Sequence, residues 1–273
     1  MPVKSILVTG ATDGIGRETA RQLLALGHRV LVHGRDRDKA EHAAEQLKKA
    51  SAQGEALPVW GDLSRMREIP ALARQVRSHC PTLDVLLNNA GVMEKRRRLS
   101  EDGFEMTMAV NHYAPFLLTR LLLDLVEAAP AGRVVTVSSM VHSSGGLDLS
   151  APSFLPARGH SGYDAYCASK LANVLFTAEL ARRLAATKVT ANCLHPGVID
   201  TKLLHAGFAM TGSPVEEGAR TSVFLATSGT VAGISGRYFN NCREAQCSAA
   251  GRDPVLARSL WQATEAALSA FAH

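Results

Sequence analysis

The stretch ILVTGATDGIG, residues 6–16, joins a short apolar run to a glycine-rich turn and then to a helical pattern. The apolar run has the length of a strand, and the segment ETARQLLALG that follows has the length of a helix. Glycines allow a tight turn and a close approach of the backbone, while the free N–H groups at the start of a helix attract a pyrophosphate. The stretch therefore predicts a strand–turn–helix unit that binds a nucleotide, with an ordinary strand-to-helix loop as the alternative.

The rest of the chain repeats this alternation of strands and helices. Seven apolar runs have the length of a strand, and most are separated by helical patterns, which predicts a parallel sheet with helices on both sides. These runs are ILV at 6–8, RVLVH at 29–33, ALPVW at 56–60, DVLLN at 84–88, RVVTV at 133–137, VTANCL at 189–194 and GRYFN at 236–240. No linker, composition shift or repeat divides the 273 residues, so one α/β domain spanning 1–273 is expected.

Composition argues against several other classes of protein. No apolar run reaches the roughly 18 residues that a membrane span needs, and the N-terminus lacks the long apolar region of a secretory signal, so we expect a cytoplasmic protein without a membrane span. The five cysteines are scattered without a metal-binding spacing, which predicts free thiols and no metal site. The net charge of +5 is modest, and the one dense basic run, KRRR at 95–98, is interpreted as a solvated loop rather than a nucleic-acid site.

The stretch GYDAYCASK, residues 162–170, places a tyrosine four residues before a lysine. On a helix, Tyr166 and Lys170 lie one above the other on one face, whereas Tyr163 is two turns away from Lys170. A tyrosine titrates near pH 10, so a nearby cation must stabilise its anion if it is to exchange protons near neutrality. Tyr166 is therefore the candidate acid–base, and Lys170, together with a positively charged oxidised nicotinamide ring, is expected to lower its pKa. A buried tyrosine beside a surface lysine is the structural alternative.

Polar residues at two further places, the end of the fifth strand and the interior of a helical pattern, are candidates for a functional role. GRVVTVSS at 132–139 puts Ser138 and Ser139 at the carboxyl end of the fifth strand, where open α/β sheets bind ligands. A hydroxyl there can hydrogen-bond a carbonyl oxygen on which charge develops. Asn111 lies within the helical pattern AVNHYAPFLLT, although asparagine disfavours helices and tends to interrupt them. A strand-end serine and a tolerated helix asparagine are the structural alternatives.

In the order of its motifs, the chain resembles the short-chain dehydrogenase/reductase family. The matching motifs are TGxxxGxG at 9–16, GDL at 61–63, NNAG at 88–91, the strand-end serines, YxxxK, and the Pro-Gly turn in LHPGVIDT at 194–201. The resemblance implies a single-domain Rossmann fold with a doubly wound, seven-stranded parallel sheet flanked by helices. It also implies the catalytic set Asn111, Ser139, Tyr166 and Lys170, in which Asn111 holds a water that links Lys170 to solvent.

The same resemblance implies which residues hold a nicotinamide dinucleotide. GDL and NNAG match the family at the adenine and ribose positions, and the Pro-Gly turn covers the nicotinamide. The implied cofactor-binding residues are Gly10, Gly14, Ile15, Gly16, Arg35, Asp62, Leu63, Asn89, Ala90, Gly91, Tyr166, Lys170, Pro196, Gly197, Val198 and Thr201. Without the other motifs, Asp62 would serve equally as a helix N-cap and NNAG as a turn.

The end of the second strand favours NADP(H) over NAD(H). A dehydrogenase that prefers NAD usually carries an acid there for the ribose hydroxyls, but HGRD at 33–36 has Gly34 followed by Arg35. A guanidinium can form paired hydrogen bonds to a 2′-phosphate, and Arg17 could add to the positive pocket. NADP(H) is therefore expected as the preferred cofactor. NAD(H) remains an alternative because Asp36 lies nearby.

Within the family, LANVLFTAELARRL at 171–184 and the C-terminal tail are similar to retinol-dehydrogenase-like members. So is the long insertion SSGGLDLSAPSFLPARGH at 143–160, which is expected to shape the substrate pocket. Many animal members carry an N-terminal membrane anchor that this chain lacks, so we expect an NADP(H)-dependent oxidoreductase acting on another small-molecule alcohol, aldehyde or ketone. A non-catalytic NADP(H)-binding sensor or regulatory protein is the alternative. The helices that contain Phe116 and Tyr166 could pair across a two-fold axis, which makes a homodimer or homotetramer a hypothesis.

Overall fold

The computed structural model describes residues 2–51, 53–155, 161–207 and 210–271. The strands are β1 Ser5–Val8, β2 Arg29–Gly34, β3 Glu55–Trp60, β4 Val85–Asn88, β5 Arg133–Val137, β6 Thr190–His195, β7 Tyr238–Asn240 and β8 Arg243–Ala245. The α-helices are α1 Gly14–Ala25, α2 Arg37–Ala50, α3 Ile69–His79, α4 Met106–Met108, α5 Ala114–Glu127, α6 Gly162–Arg183, α7 Lys202–Gly207, α8 Val215–Thr227 and α9 Pro254–Ala267. A π-helical turn, Ala109–Tyr113, joins α4 to α5.

The strands form one sheet in the order β3-β2-β1-β4-β5-β6-β7-β8. The first seven strands are parallel to their neighbours, as the sequence predicts, and the order reverses next to β1, which opens a crevice at the carboxyl ends of β1 and β4. The predicted number of seven strands was wrong by one. β8 pairs antiparallel with β7 through a two-residue hairpin at Asn241 and Cys242, both with positive φ. Its short sequence REA has no apolar run of strand length.

Side chains that alternate along β1 enter two separate cores, one on each face of the sheet. Ile6 and Val8 pack with the apolar sides of α1, α2 and α8. Leu7 faces the opposite way, into the core formed with α3, α5, α6 and α9. Because both faces of the central strands are covered, these strands appear in the sequence as continuous apolar runs rather than as alternating ones. The predicted α/β domain with helices on both sides is confirmed.

The C-terminal helix α9 covers one side of α5 and α6. Trp261 on α9 packs against Phe116 on α5, with ring centroids 4.6 Å apart, and stacks on Phe176 of α6 at 5.9 Å. The guanidinium of Arg183 lies 4.3 Å from the centre of the Trp261 ring. Phe116 is therefore buried within its own chain, and the side of α5 that carries it is not open to a second copy. Of the helices in the described part of the chain, none combines the length and apolar composition needed to cross a bilayer.

Candidate active site

A cleft of about 1190 Å³ opens at the carboxyl ends of the central strands. Its wall contains every residue that the sequence assigns to the cofactor, from the glycine turn at 10–16 to the Pro-Gly turn at 196–201. Ser139, Tyr166 and Lys170 also line it, while Asn111 lies behind the wall and contacts it through Val92. The order of the strands thus brings together groups as far apart in the chain as Gly10 and Thr201.

The glycine turn adopts a backbone that other residues would resist. Gly10 and Gly14 have φ of 65° and 52°, in the left-handed region. A Cβ on Gly16 would lie 2.2 Å from the carbonyl oxygen of Gly10, so only glycine allows α1 to pack this closely on the turn. Asp13 caps the helix by accepting the Gly14 N–H at 2.9 Å. The turn therefore presents the N-terminus of α1 to the cleft, as the sequence predicts.

A buried histidine that the sequence did not single out fixes the glycine turn to the neighbouring loop. The Gly10 N–H donates to Nδ1 of His33 at 3.1 Å, so the ring proton is on Nε2, which donates to the Gly61 carbonyl at 3.0 Å. Burial lowers the pKa of His33 to about 4, so the ring is neutral near pH 7. His33 thereby ties the phosphate turn to the loop that carries Asp62. In the sequence, the signal for this role was a polar residue near the end of a buried strand.

At the end of the cleft that the sequence assigns to the adenine, the charged residues differ in their exposure and contacts. Arg35 and Arg17 are exposed at the cleft wall. Asp36 instead caps α2, accepting the Lys39 N–H at 3.0 Å and pairing with the Lys39 ammonium at 2.7 Å. Asp62 accepts the Ser64 N–H at 2.9 Å. α3 begins only at Ile69, after Glu68, so Asp62 is not the cap of that helix.

The two strand-end serines have different environments. Ser138 donates its hydroxyl to the Lys170 carbonyl at 2.7 Å, the backbone-bonded role expected of it. Both serines line the cleft, but the Ser139 hydroxyl is close enough to Tyr166 to lower its pKa. Because the Ser138 hydroxyl is engaged with the Lys170 carbonyl, Ser139 is the better placed of the two to hydrogen-bond a substrate oxygen.

Helix α6 sets the positions of Tyr166 and Lys170. Ser161 and Asp164 form a capping box, with Asp164 N–H bound to Ser161 Oγ at 3.2 Å and Ser161 N–H bound to the Asp164 carboxylate at 2.7 Å. One turn later the Lys170 ammonium lies 5.4 Å from the centre of the Tyr166 ring. It donates to the Val137 carbonyl at 3.1 Å. Tyr163, on the first turn, is 39% exposed and is not part of the cleft wall.

Burial shifts the pKa values of Tyr166 and Lys170 in opposite directions. Burial raises the pKa of Tyr166 above its ordinary value, and the hydrogen bond with Ser139 opposes this only in part. Burial lowers the pKa of Lys170 to about 8. At neutral pH the pair is thus a neutral phenol beside a mainly cationic ammonium.

Asn111 interrupts the helix, as the sequence predicts. It lies at the middle of the π-helical turn, a local form that is frequent at functional sites. Its amide nitrogen donates to the Val92 carbonyl and to Ser169 Oγ, both at 2.9 Å, and its Oδ1 accepts the Val92 N–H at 2.8 Å. Both amide hydrogens are used, so a water could be held only through Oδ1 or a backbone carbonyl of the turn.

The residues around the cleft fit a nicotinamide dinucleotide. The left-handed glycine turn offers helix N–H groups to a pyrophosphate. At the other end, Gly91 leaves a space in which a Cβ would be 3.5 Å from both Asn111 Oδ1 and Lys170 Nζ, with no backbone atom that close. Gly197, with φ of 100°, lines the same cleft. Lys202 at the start of α7 pairs with Asp13 at 2.5 Å, closing the Pro-Gly segment onto the phosphate turn.

The insertion expected to shape the substrate pocket is described only up to residue 155, and residues 156–160 lie outside the described part of the chain. Before it, Met140 and Val141 line the cleft. Leu203, Leu204 and Met210 line it from the segment after the Pro-Gly turn. These side chains give the substrate end of the cleft an apolar wall.

Comparison with known proteins agrees with this geometry. The family model for short chain dehydrogenases matches residues 4–211. The chain belongs to the short-chain dehydrogenase family. Retinol dehydrogenase 14 of Homo sapiens is 40% identical to it over 96% of this chain and 85% of the relative. Retinol dehydrogenase 12 of Bos taurus is 41% identical over 94% of this chain and 84% of the relative. The predicted retinol-dehydrogenase-like branch is confirmed.

Solved structures of this short-chain dehydrogenase fold include more distant relatives. An uncharacterized protein from Mycobacterium paratuberculosis superposes with a TM-score of 0.80 at 32% identity, over 97% of this chain and 93% of the other. An Escherichia coli CFT073 protein, solved in complex with NADPH, has a TM-score of 0.71 at 26% identity, over 88% of this chain and 97% of the other. The chain is thus an oxidoreductase of a family that uses nicotinamide dinucleotides.

Proposed function

We propose that the protein is an NADP(H)-dependent oxidoreductase that interconverts an alcohol and an aldehyde or ketone, with Tyr166 as its acid–base. One observation carries the proposal. Tyr166 and Ser139 lie together at the cleft wall, with the buried Lys170 ammonium 5.4 Å from the tyrosine ring. The names of the relatives, retinol dehydrogenases, support chemistry on an alcohol or its aldehyde.

Each of the four polar residues has a distinct role in this proposal. The bound nicotinamide supplies a hydride in reduction and accepts one in oxidation. In reduction, Ser139 hydrogen-bonds the carbonyl oxygen, and Tyr166 donates its phenolic proton to that oxygen. Lys170 stabilises the phenolate that remains, because its ammonium is charged near neutrality. Asn111 holds the π-helical turn against Val92, beside the space through which a water would return the proton to Lys170.

The raised pKa of Tyr166 suits this direction of the reaction. A phenol that is protonated throughout the neutral range is ready to donate, whereas oxidation needs the phenolate. We therefore expect kcat/KM for carbonyl reduction to stay nearly constant between pH 6 and 8. For alcohol oxidation, kcat/KM should rise by up to about tenfold per pH unit over the same range. Initial rates in both directions test this. An oxidation rate that falls as the pH rises would contradict the role of Tyr166 as the base.

NADP(H) is the cofactor we infer, on the basis of the exposed guanidinium groups at the adenine end. Arg35 and Arg17 lie at the cleft wall, and Asp36, the one acid that might have served a ribose hydroxyl, is engaged as the cap of α2. The NADPH bound to the Escherichia coli relative supports the same choice. NAD(H) remains the alternative cofactor, and the two are compared directly in the experiment below.

Replacing Arg35 by alanine should separate the two cofactors. Loss of a charge-assisted contact to the 2′-phosphate should lower kcat/KM for NADPH by about 10- to 100-fold, and leave kcat/KM for NADH within about threefold. The matched control is Arg37→Ala, which removes the same charge two residues on, at a side chain paired with Glu41 and outside the cleft wall. An equal loss with both cofactors, or an equal loss in the control, would contradict the assignment.

The experiment that tests the proposed function is NADPH and NADH oxidation by the wild-type protein with a panel of aldehydes, ketones and retinal. Turnover that prefers NADPH supports the proposal. Tight NADPH binding without turnover of any panel member would favour the alternative, a sensor that binds the cofactor without chemistry.

A cytoplasmic location and a homodimer or homotetramer stay predictions. The covering of Phe116 by α9 means that such an oligomer would have to use another surface.

A further inference from the structure

Two buried histidines outside the proposed chemistry lie next to two of its residues. His112 follows Asn111 within the π-helical turn, and His142 lies one turn after Ser139. Both side chains are at most 4% exposed. Neither ring lines the cleft, so neither can touch a bound substrate or cofactor. Any effect of these histidines on the reaction must pass through their neighbours.

The hydrogen bonds of His112 determine which ring nitrogen carries the proton. Its Nε2 lies 2.9 Å from Thr264 Oγ1 on α9. The Thr264 hydroxyl donates its only proton to the Leu260 carbonyl at 2.8 Å, so towards the histidine it can only accept. The proton of His112 is therefore on Nε2, which donates to Thr264. This bond joins the turn that carries Asn111 to the C-terminal helix.

His142 has the opposite tautomer. Its Nδ1 lies 2.7 Å from the Ser139 carbonyl, which can only accept, and its Nε2 lies 3.0 Å from the Ser248 N–H, which can only donate. The proton is therefore on Nδ1. The ring thus bridges the backbone of Ser139 to the start of the C-terminal segment. Both histidines reach the same part of the chain, Ser248 to Ala267, from two different loops of the site.

The C-terminal segment is held firmly enough to position these loops. Trp261 packs against Phe116 and Phe176, and Arg120 on α5 forms an ion pair with Glu265. No described residue after Val215 contributes to the wall of the cleft. A change in this segment can therefore reach the site only through the packing beneath it. It should alter the chemical step without altering how the cofactor binds.

We propose that the segment Ser248–Ala267 positions Asn111 and Ser139 for the reaction, and that His112 and His142 are the positioning residues that connect it to them. The inference rests on the proposed function for its effect on turnover. The contacts themselves do not depend on that function. A substitution within Ser248–Ala267, away from the cleft, should therefore change kcat.

Thr264 provides the sharpest test, because valine has nearly the same shape as threonine but cannot accept a hydrogen bond. Thr264→Val should lower kcat with NADPH about tenfold, while the NADPH dissociation constant and KM for the carbonyl stay within twofold. Thr264→Ser keeps the hydroxyl and should restore kcat. The matched control is Thr177→Val on α6, where a buried hydroxyl likewise donates to a carbonyl four residues earlier. It should leave kcat within about twofold.

His142 is tested by a pair of variants. His142→Asn keeps a donor close to the Ser139 carbonyl and should retain most of kcat, whereas His142→Leu removes it and should lower kcat about tenfold with unchanged NADPH binding. The inference would be overturned if Thr264→Val and His142→Leu lost NADPH binding together with kcat. It would also be overturned if His142→Asn and His142→Leu were equally active.

Amide hydrogen exchange gives a readout that needs no turnover. In Thr264→Val, exchange within residues 109–113 should be faster than in the wild type, and in Thr177→Val it should be unchanged. If the wild type turns over but neither kcat nor this exchange changes in Thr264→Val, the inference is overturned. If the wild type turns over no carbonyl at all, the proposed function fails instead. Faster exchange would then support the positioning contact by itself, and unchanged exchange would overturn it.

Discussion

Tyr166→Phe should lower kcat for NADPH-dependent carbonyl reduction by about 10²- to 10⁴-fold, the range that a positioned general acid contributes. The substitution removes only the hydroxyl, so the ring still packs on α6 beneath Lys170 and the cleft keeps its shape. The dissociation constant for NADPH should therefore change by less than about threefold. Steady-state rates and a cofactor titration on the same preparation give both numbers.

Tyr163→Phe is the control for this prediction, because it removes the same hydroxyl from the same helix. Tyr163 is 39% exposed on the first turn of α6 and does not line the cleft. Its kcat should stay within a few-fold of the wild type. Equal losses in the two variants, or a larger loss in Tyr163→Phe, would mean that the wrong tyrosine has been assigned.

Acid should destabilise the fold well before the carboxylates titrate. Burial lowers the pKa of His33 and of His195 to about 4 and that of His112 to about 3, whereas the same side chains in the unfolded chain titrate near pH 6.5. Between these values the unfolded chain binds protons that the folded protein does not. The free energy of unfolding therefore falls as the pH falls through this window, by up to about 1.4 kcal/mol per pH unit for each histidine.

Urea unfolding at pH 7 and pH 5 measures this loss, which should be on the order of several kcal/mol in total. His112→Gln should make it smaller, because glutamine keeps a donor near Thr264 and does not titrate. The control His42→Gln replaces an exposed histidine on α2 and should leave the pH dependence unchanged. A free energy of unfolding that is the same at both pH values would contradict the buried, neutral state of these rings.

Those features of the site that depend on local sequence could be predicted. The turn from Gly10 to Gly16 needs only a short strand followed by a helix, and the structure has both. The pairing of Tyr166 with Lys170 needs only the four-residue spacing of one helical turn. The interruption at Asn111 likewise follows from the poor fit of asparagine within a helix. The parallel order of the first seven strands follows from continuous apolar runs separated by helices.

Features that depend on distant contacts could not be predicted. The raised pKa of Tyr166 comes from burial by segments from several parts of the chain, which no local motif records. His112 meets Thr264 across 152 residues, and His142 meets Ser248 across 106, so no short motif records either bond. The covering of Phe116 by Trp261 has the same origin. β8 was missed because Arg243, Glu244 and Ala245 carry no strand signal.

The most direct test of the central claim is a single-turnover reaction with protein in excess over NADPH and a saturating carbonyl taken from the panel. Loss of the reduced-nicotinamide absorbance should be fast with the wild type and with Tyr163→Phe, and at least about a hundredfold slower with Tyr166→Phe, although NADPH is bound in all three. This result would assign proton transfer to Tyr166. Equal rates for the wild type and Tyr166→Phe would contradict the account.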